Sequence, residues 1–134
     1  MAEPETSILF LIDAAKAEAP REPEHFSGSV TVQRLAALDD RTAIQAVFFE
    51  PGARTLPHIH VHDQVLLCVA GSGIVASDRI QALRPGMGIR IPAGTWHWHG
   101  ATKESAMCHV AIHERDKGDR WDVERRDWAD YREG

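Results

Sequence analysis

The sequence has only two cysteines, one tyrosine, no apolar run long enough to cross a bilayer and no surplus of basic charge. Two cysteines cannot build a disulfide framework. Cys68 and Cys108 each sit inside an apolar run, so both are expected to be buried, reduced thiols. The apolar stretch at residues 8–12 has no basic flank and is cut off by Asp13. It falls far short of the roughly 20 residues that a membrane helix needs. No secretory signal and no membrane association are therefore expected, and a cytoplasmic location is the default. A formal net charge of −5 argues against nucleic acid or an anionic membrane as partner, since both require a basic face. Internal repeats, low-complexity tracts and long linkers are missing too.

What the chain does have is frequent turn punctuation. Pro51-Gly52, Gly71-Ser72-Gly73, Ser77-Asp78, Pro85-Gly86 and Pro92-Ala93-Gly94 recur at short intervals. Between them, residues 43–49, 65–69, 73–76, 80–83, 88–91 and 106–113 are rich in Val, Ile and aromatics, and residues 30–35 follow a Ser-Gly-Ser turn. Short strands at this spacing, with no long helical pattern between them, predict an all-β sandwich or barrel. At 134 residues the chain suits one domain with its own core. Residues 8–12 read as a further strand, suited to a partner subunit's sheet, and residues 13–19 as a short helix ending at Pro20. Asp127 is placed to cap a helical turn through Tyr131. Trp121, Trp128 and Tyr131 are expected to anchor the tail on the barrel.

Eight histidines are many for this length, and five of them fall in two clusters: His58, His60 and His62, then His97 and His99. His58 and His60 are two apart, so on extended chain their imidazoles share a face, and Gln64 keeps that parity. His97 follows a Pro-x-Gly turn on a separate segment and is placed to complete the set across the barrel. Three imidazole nitrogens and one amide oxygen suit a single divalent transition metal: Mn, Fe, Co, Ni, Cu or Zn. Four protein donors leave coordination positions open for water or substrate.

These stretches resemble the two cupin motifs, Gly-x5-His-x-His-x3-Glu-x6-Gly and Gly-x5-Pro-x-Gly-x2-His-x3-Asn. Gly52, His58, His60, Gly71, Gly86, Pro92, Gly94 and His97 match in type and spacing, while Gln64 replaces the usual Glu and Ala101 the common Asn. With the stretches around Phe26, Phe49, His99 and His109, the pattern is similar to small bacterial cupins that include R-selective hydroxynitrile lyases. That resemblance implies a single-domain jelly-roll barrel, a double-stranded β-helix, over residues 26–115. Residues 1–25 would form an N-terminal extension and 116–134 a tail packed on the barrel. It further implies a metal, manganese favoured, on His58, His60, Gln64 and His97, and a homodimer or tetramer.

Around the metal, the resemblance implies a proton-transfer role for His99, which shares parity with His97. Met107, His109, Ala111 and His113 alternate with an apolar face, so His109 and His113 are expected to line the cavity as further acid–base candidates. His62 reads as a spectator, Arg54 as a structural residue or a substrate anchor, and Trp96 and Trp98 as packing outside the barrel or at a subunit interface. His25 carries no assignment. Three functions fit: a metal-dependent lyase acting on a small oxygenated substrate, an Fe(II)-dependent dioxygenase, and a non-catalytic ligand-binding cupin.

Overall fold

Residues 64–69 alternate buried and exposed side chains, as a strand lying over a core must. The structure, a computed structural model, describes residues 7–126 and 128. Their regular elements are almost all strands: β1 Phe26–Ser27, β2 Val30–Ala37, β3 Thr42–Phe49, β4 Arg54–Thr55, β5 Gln64–Gly71, β6 Gly73–Ala76, β7 Ile80–Leu83, β8 Gly88–Ile91, β9 Trp98–Ala101 and β10 Met107–Glu114. They form two antiparallel sheets, ordered β1-β4-β9-β6-β7 and β2-β3-β10-β5-β8. This is a jelly-roll barrel, and every strand expected from the turn pattern is present within a residue or two of its expected ends.

The core lies between the sheets, where Val47 and Phe49 of β3, Leu66 and Cys68 of β5, Val75 of β6, Ile91 of β8 and Met107 of β10 pack together. Full burial of a side chain such as Phe49 or Leu66 contributes roughly 1.5–3 kcal/mol. Two glycines set the closeness of the layers. A Cβ on Gly100 would lie 2.3 Å from the Ala53 carbonyl oxygen, so only glycine lets the chain before β4 cross β9. Gly71 has φ 77° and a Cβ there would lie 1.9 Å from the Ala106 oxygen.

The termini differ from expectation. Residues 8–12 form no strand: the edge of β2 is bridged instead by Glu18 to Val32, and the apolar run stays exposed. Gln33 tethers it, donating from Nε2 to the Leu11 oxygen (3.0 Å) and accepting from the Asp13 amide (2.8 Å). The helix expected at 13–19 is a single 3-10 turn, Ala14–Lys16, capped by Asp13, because the chain turns extended at Ala17 to reach Val32.

Trp96 and Trp98 do pack outside the barrel, with Ile74 and Ala76, but the chain's own C-terminal segment covers them through Val123 and Trp128. Trp96 Nε1 donates to the Glu124 oxygen (2.7 Å), and the Arg126 guanidinium sits 4.0 Å over its ring. Trp128 therefore anchors the tail as expected; Tyr131 and the capping turn at Asp127 lie outside the described residues. Cys68 and Cys108 are free and buried, and burial pushes the Cys108 thiol up to about 11.

Candidate metal centre

His58 and His97 come from segments nearly forty residues apart, yet their backbones pair. The His58 amide donates to the His97 oxygen at 2.9 Å, and the His97 amide to the His58 oxygen at 3.1 Å. His60 follows on the same face, and Gln64 opens β5 beside them. All four side chains are buried. The ring centroids of His58 lie 4.2 Å from His97 and 4.7 Å from His60.

The outer nitrogens of His58 and His97 are spoken for. His58 Nδ1 donates to the Leu56 oxygen (2.7 Å) and His97 Nδ1 to the Thr95 oxygen (2.9 Å). A carbonyl can only accept, so the ring hydrogen is on Nδ1 and the Nε2 lone pair points inward. His60 Nδ1 lies 3.5 Å from Asp119 Oδ2, an ion-pair distance, and both His60 ring nitrogens are buried with no hydrogen-bond partner among the described residues. His97 Nε2 lies 3.4 Å from Gln64 Oε1, two lone-pair donors facing one another without a hydrogen between them. The donor set therefore fits a divalent metal ion. Burial, with the neighbouring imidazoles, holds His58 well below the ordinary histidine pKa; burial brings His60 and His97 down to about 4. All three are neutral near pH 7, the form that ligates.

Further in, His99 Nδ1 and His109 Nε2 are 3.0 Å apart, and the His99 amide donates to Thr55 Oγ1. Burial depresses both imidazoles, His109 to about 4. His99 also offers a ring nitrogen within 4.8 Å of those of His58 and His97. His113 pairs across the sheet with Gln64 and lies near the mouth, its ring centroid 4.2 Å from that of His60. A cavity of about 840 Å³ joins these groups: His58, His60, Gln64, His99, His109 and His113 all line it.

The remaining candidates fall away from it. His62 is more than a third exposed and hydrogen-bonds Asp116 at 3.0 Å. Arg54 is buried with its guanidinium 4.6 Å over the Trp98 ring, so its place is structural. Sequence reasoning missed two contributors from the tail. Trp121, read as a packing anchor, is stacked between His25 (3.7 Å) and His58 (4.1 Å) at the cavity wall. Asp119 contacts both His60 and His113, and nothing in its Asp-Lys-Gly-Asp surroundings marks it as more than a polar turn.

The family described as Cupin domain matches residues 46–113. The chain is similar to an (R)-mandelonitrile lyase of Granulicella tundricola, with 37% identity over 97 residues that cover 69% of this chain and 74% of the relative. Among solved structures, a cupin-like protein from Thermotoga maritima superposes with a TM-score of 0.73 at 28% identity, over 82% of this chain and 88% of its own. The polyketide cyclase RemF from Streptomyces resistomycificus reaches 0.74 at 19% identity, over 92% and 94%, a likeness of fold alone.

Proposed function

The chain belongs to the cupin family, and from that premise we propose that it is a metal-dependent lyase acting on small oxygenated molecules of the cyanohydrin class. The carrying observation is the cluster of His58, Gln64 and His97, with the His60 ring 4.7 Å from that of His58 and 5.2 Å from that of His97, beside a hydrogen-bonded His99–His109 pair. His58, His60, Gln64 and His97 would hold one divalent cation, manganese favoured, which when bound would supply Lewis acidity toward the substrate oxygen. The lyase character of the mandelonitrile lyase relative supports the reaction class.

The protein's own groups handle the proton. His99 is neutral near pH 7 and stands beside the ligand histidines, so it accepts the hydroxyl proton of a bound cyanohydrin. The carbon–carbon bond to the nitrile then breaks, leaving a carbonyl compound and cyanide. His109 shares the proton through the 3.0 Å contact, and the imidazolium returns it to the departing cyanide. His25 and Trp121 form part of the cavity wall.

The test is cleavage of mandelonitrile by manganese-loaded protein, with and without dioxygen, and again after metal removal. Turnover that persists anaerobically and disappears on chelation supports the lyase reading. Activity on oxygenated substrates that requires dioxygen would replace it with the dioxygenase; tight ligand binding without turnover would replace it with a binding protein. We also propose that a second copy of the chain covers the exposed run at residues 8–12, and with it the outward-facing Val65, Leu67 and Ile112. Sedimentation of a variant lacking residues 1–12 as a monomer, against a dimer for the full chain, is the expected result. Among the described residues no helix is long and apolar enough to cross a membrane.

A further inference from the structure

His60, His113 and Asp119 meet where the C-terminal segment crosses the cavity mouth. Residues 119–120 run against 59–61. The Ile59 amide donates to the Arg120 oxygen (2.9 Å), the Arg120 amide to the Ile59 oxygen (2.8 Å) and the Val61 amide to Asp119 Oδ1 (2.9 Å). Gly118 permits the approach, since a Cβ there would lie 2.7 Å from Val61 Cγ2. The backbone thus delivers the second carboxylate oxygen to the histidines. Oδ2 is 3.5 Å from His60 Nδ1, 3.4 Å from His113 Nε2 and 3.3 Å from the Asp116 amide that donates to it. The side chain is only 12% exposed, so solvent screens its charge weakly.

The other two imidazoles of the centre hydrogen-bond neutral backbone carbonyls through Nδ1; His60 turns its own toward a carboxylate at 3.5 Å, a contact that a small shift closes to a hydrogen bond. Gln64, meanwhile, gives the donor set an amide where a carboxylate would bring a negative charge. We propose that Asp119 is a positioning residue of the metal centre. It holds the His60 hydrogen on Nδ1, aims the Nε2 lone pair at the cation, and supplies from behind that ring the negative charge that Gln64 does not carry. The proposal rests on His60 being a ligand. A carboxylate on the far nitrogen of a ligating imidazole orients the ring and raises its basicity, and removing such a partner weakens metal binding by about 10–100-fold.

Asp119→Asn is the informative variant, because the amide oxygen keeps the Val61 hydrogen bond and so the course of the segment. Two quantities are read on the whole chain. One is the His60 tautomer in metal-free protein by long-range proton–nitrogen correlation NMR; the other is the dissociation constant for manganese(II). The expected result is Nδ1-protonated His60 in the wild type, a tautomer mixture in the variant, and an affinity lower by about 10–100-fold in a chain that still folds cooperatively though its Asp116 amide has lost an acceptor. Wild-type His60 protonated on Nε2 overturns the proposal, whatever the variant does. So does manganese bound equally by both forms, with the metal centre itself left standing. Two equivalents in the wild type and one in the variant would make Asp119 a ligand and overturn its positioning role. A chain that binds no manganese at all overturns the metal reading and the charge role with it.

Discussion

His99 Nδ1 and His109 Nε2 are 3.0 Å apart in the buried part of the cavity, so one ring donates to the other and their tautomers are linked. His109 projects from β10 and His99 from β9, strands of opposite sheets, and the Phe49 ring abuts both at 5.2 and 6.1 Å. A proton on His99 would thereby be shared with a second imidazole on the opposite sheet.

Replacing His109 by Phe leaves a similar volume but removes that second proton site. Turnover of mandelonitrile is expected to fall by about 100-fold or more, while bound metal stays at the wild-type level. Steady-state rates and elemental analysis on the same preparation check this. Unchanged turnover would remove His109 from the chemistry.

Ligand and proton-transfer roles separate by metal content. His60→Ala and His97→Ala are expected to emerge with little metal, because each leaves the remaining donors unable to close the shell. His99→Ala is expected to retain metal and lose activity. The reverse result, metal lost with His99 and kept without His60, would shift the fourth donor to His99, which stands within reach of His58 and His97.

The metal-free protein is expected to weaken with acid. His60, His97 and His109 are held to about 4 in the fold, chiefly by burial, against about 6.5 in an unfolded chain. Above about pH 6.5 both states are neutral and the stability is fully present. As pH falls from there toward 4 the unfolded chain takes up protons that the cavity refuses, and each such histidine removes about 1.4 kcal/mol per pH unit. Below about 4 these groups cause no further loss. Urea unfolding of chelator-treated protein at a series of pH values measures the slope; a flat profile across this window contradicts it.

Gly71→Ala is expected to cost more than about 2 kcal/mol, since the residue has φ 77° and the new Cβ would meet backbone atoms of Ala106 and Met107, with no flexible side-chain end to give way. Gly86→Ala, also at positive φ (88°) but with open space around its Cβ, isolates the conformational part of that cost and is expected to be milder. Thermal melts of the two variants, side by side, give the comparison.

The strands and the clustering of His58, His60, Gln64 and His97 were legible because their signals are local. Period-two alternation orients each side chain to one face, and turn residues mark where strands end; from residues 58, 60 and 64 the shared face follows without knowing what lies opposite. The alternation of residues 107–113 likewise brought His109 and His113 to the inner face before any contact was known. Other features depend on which distant surfaces meet. The covering of Trp96 and Trp98, the Trp121 stack on His58 and the reach of Asp119 to His60 all join residues some 25–65 positions apart, and no spacing rule links them. The run at residues 8–12 pairs with no strand of its own chain for the same reason: Glu18 bridges the β2 edge nearest to it, and a partner's sheet is the edge left for it. Sequence alone determined which faces carry histidine and where the chain turns. Tertiary packing decided which partner each imidazole nitrogen meets, because hydrogen-bond geometry is settled only when separate segments are brought to within a few ångströms of one another.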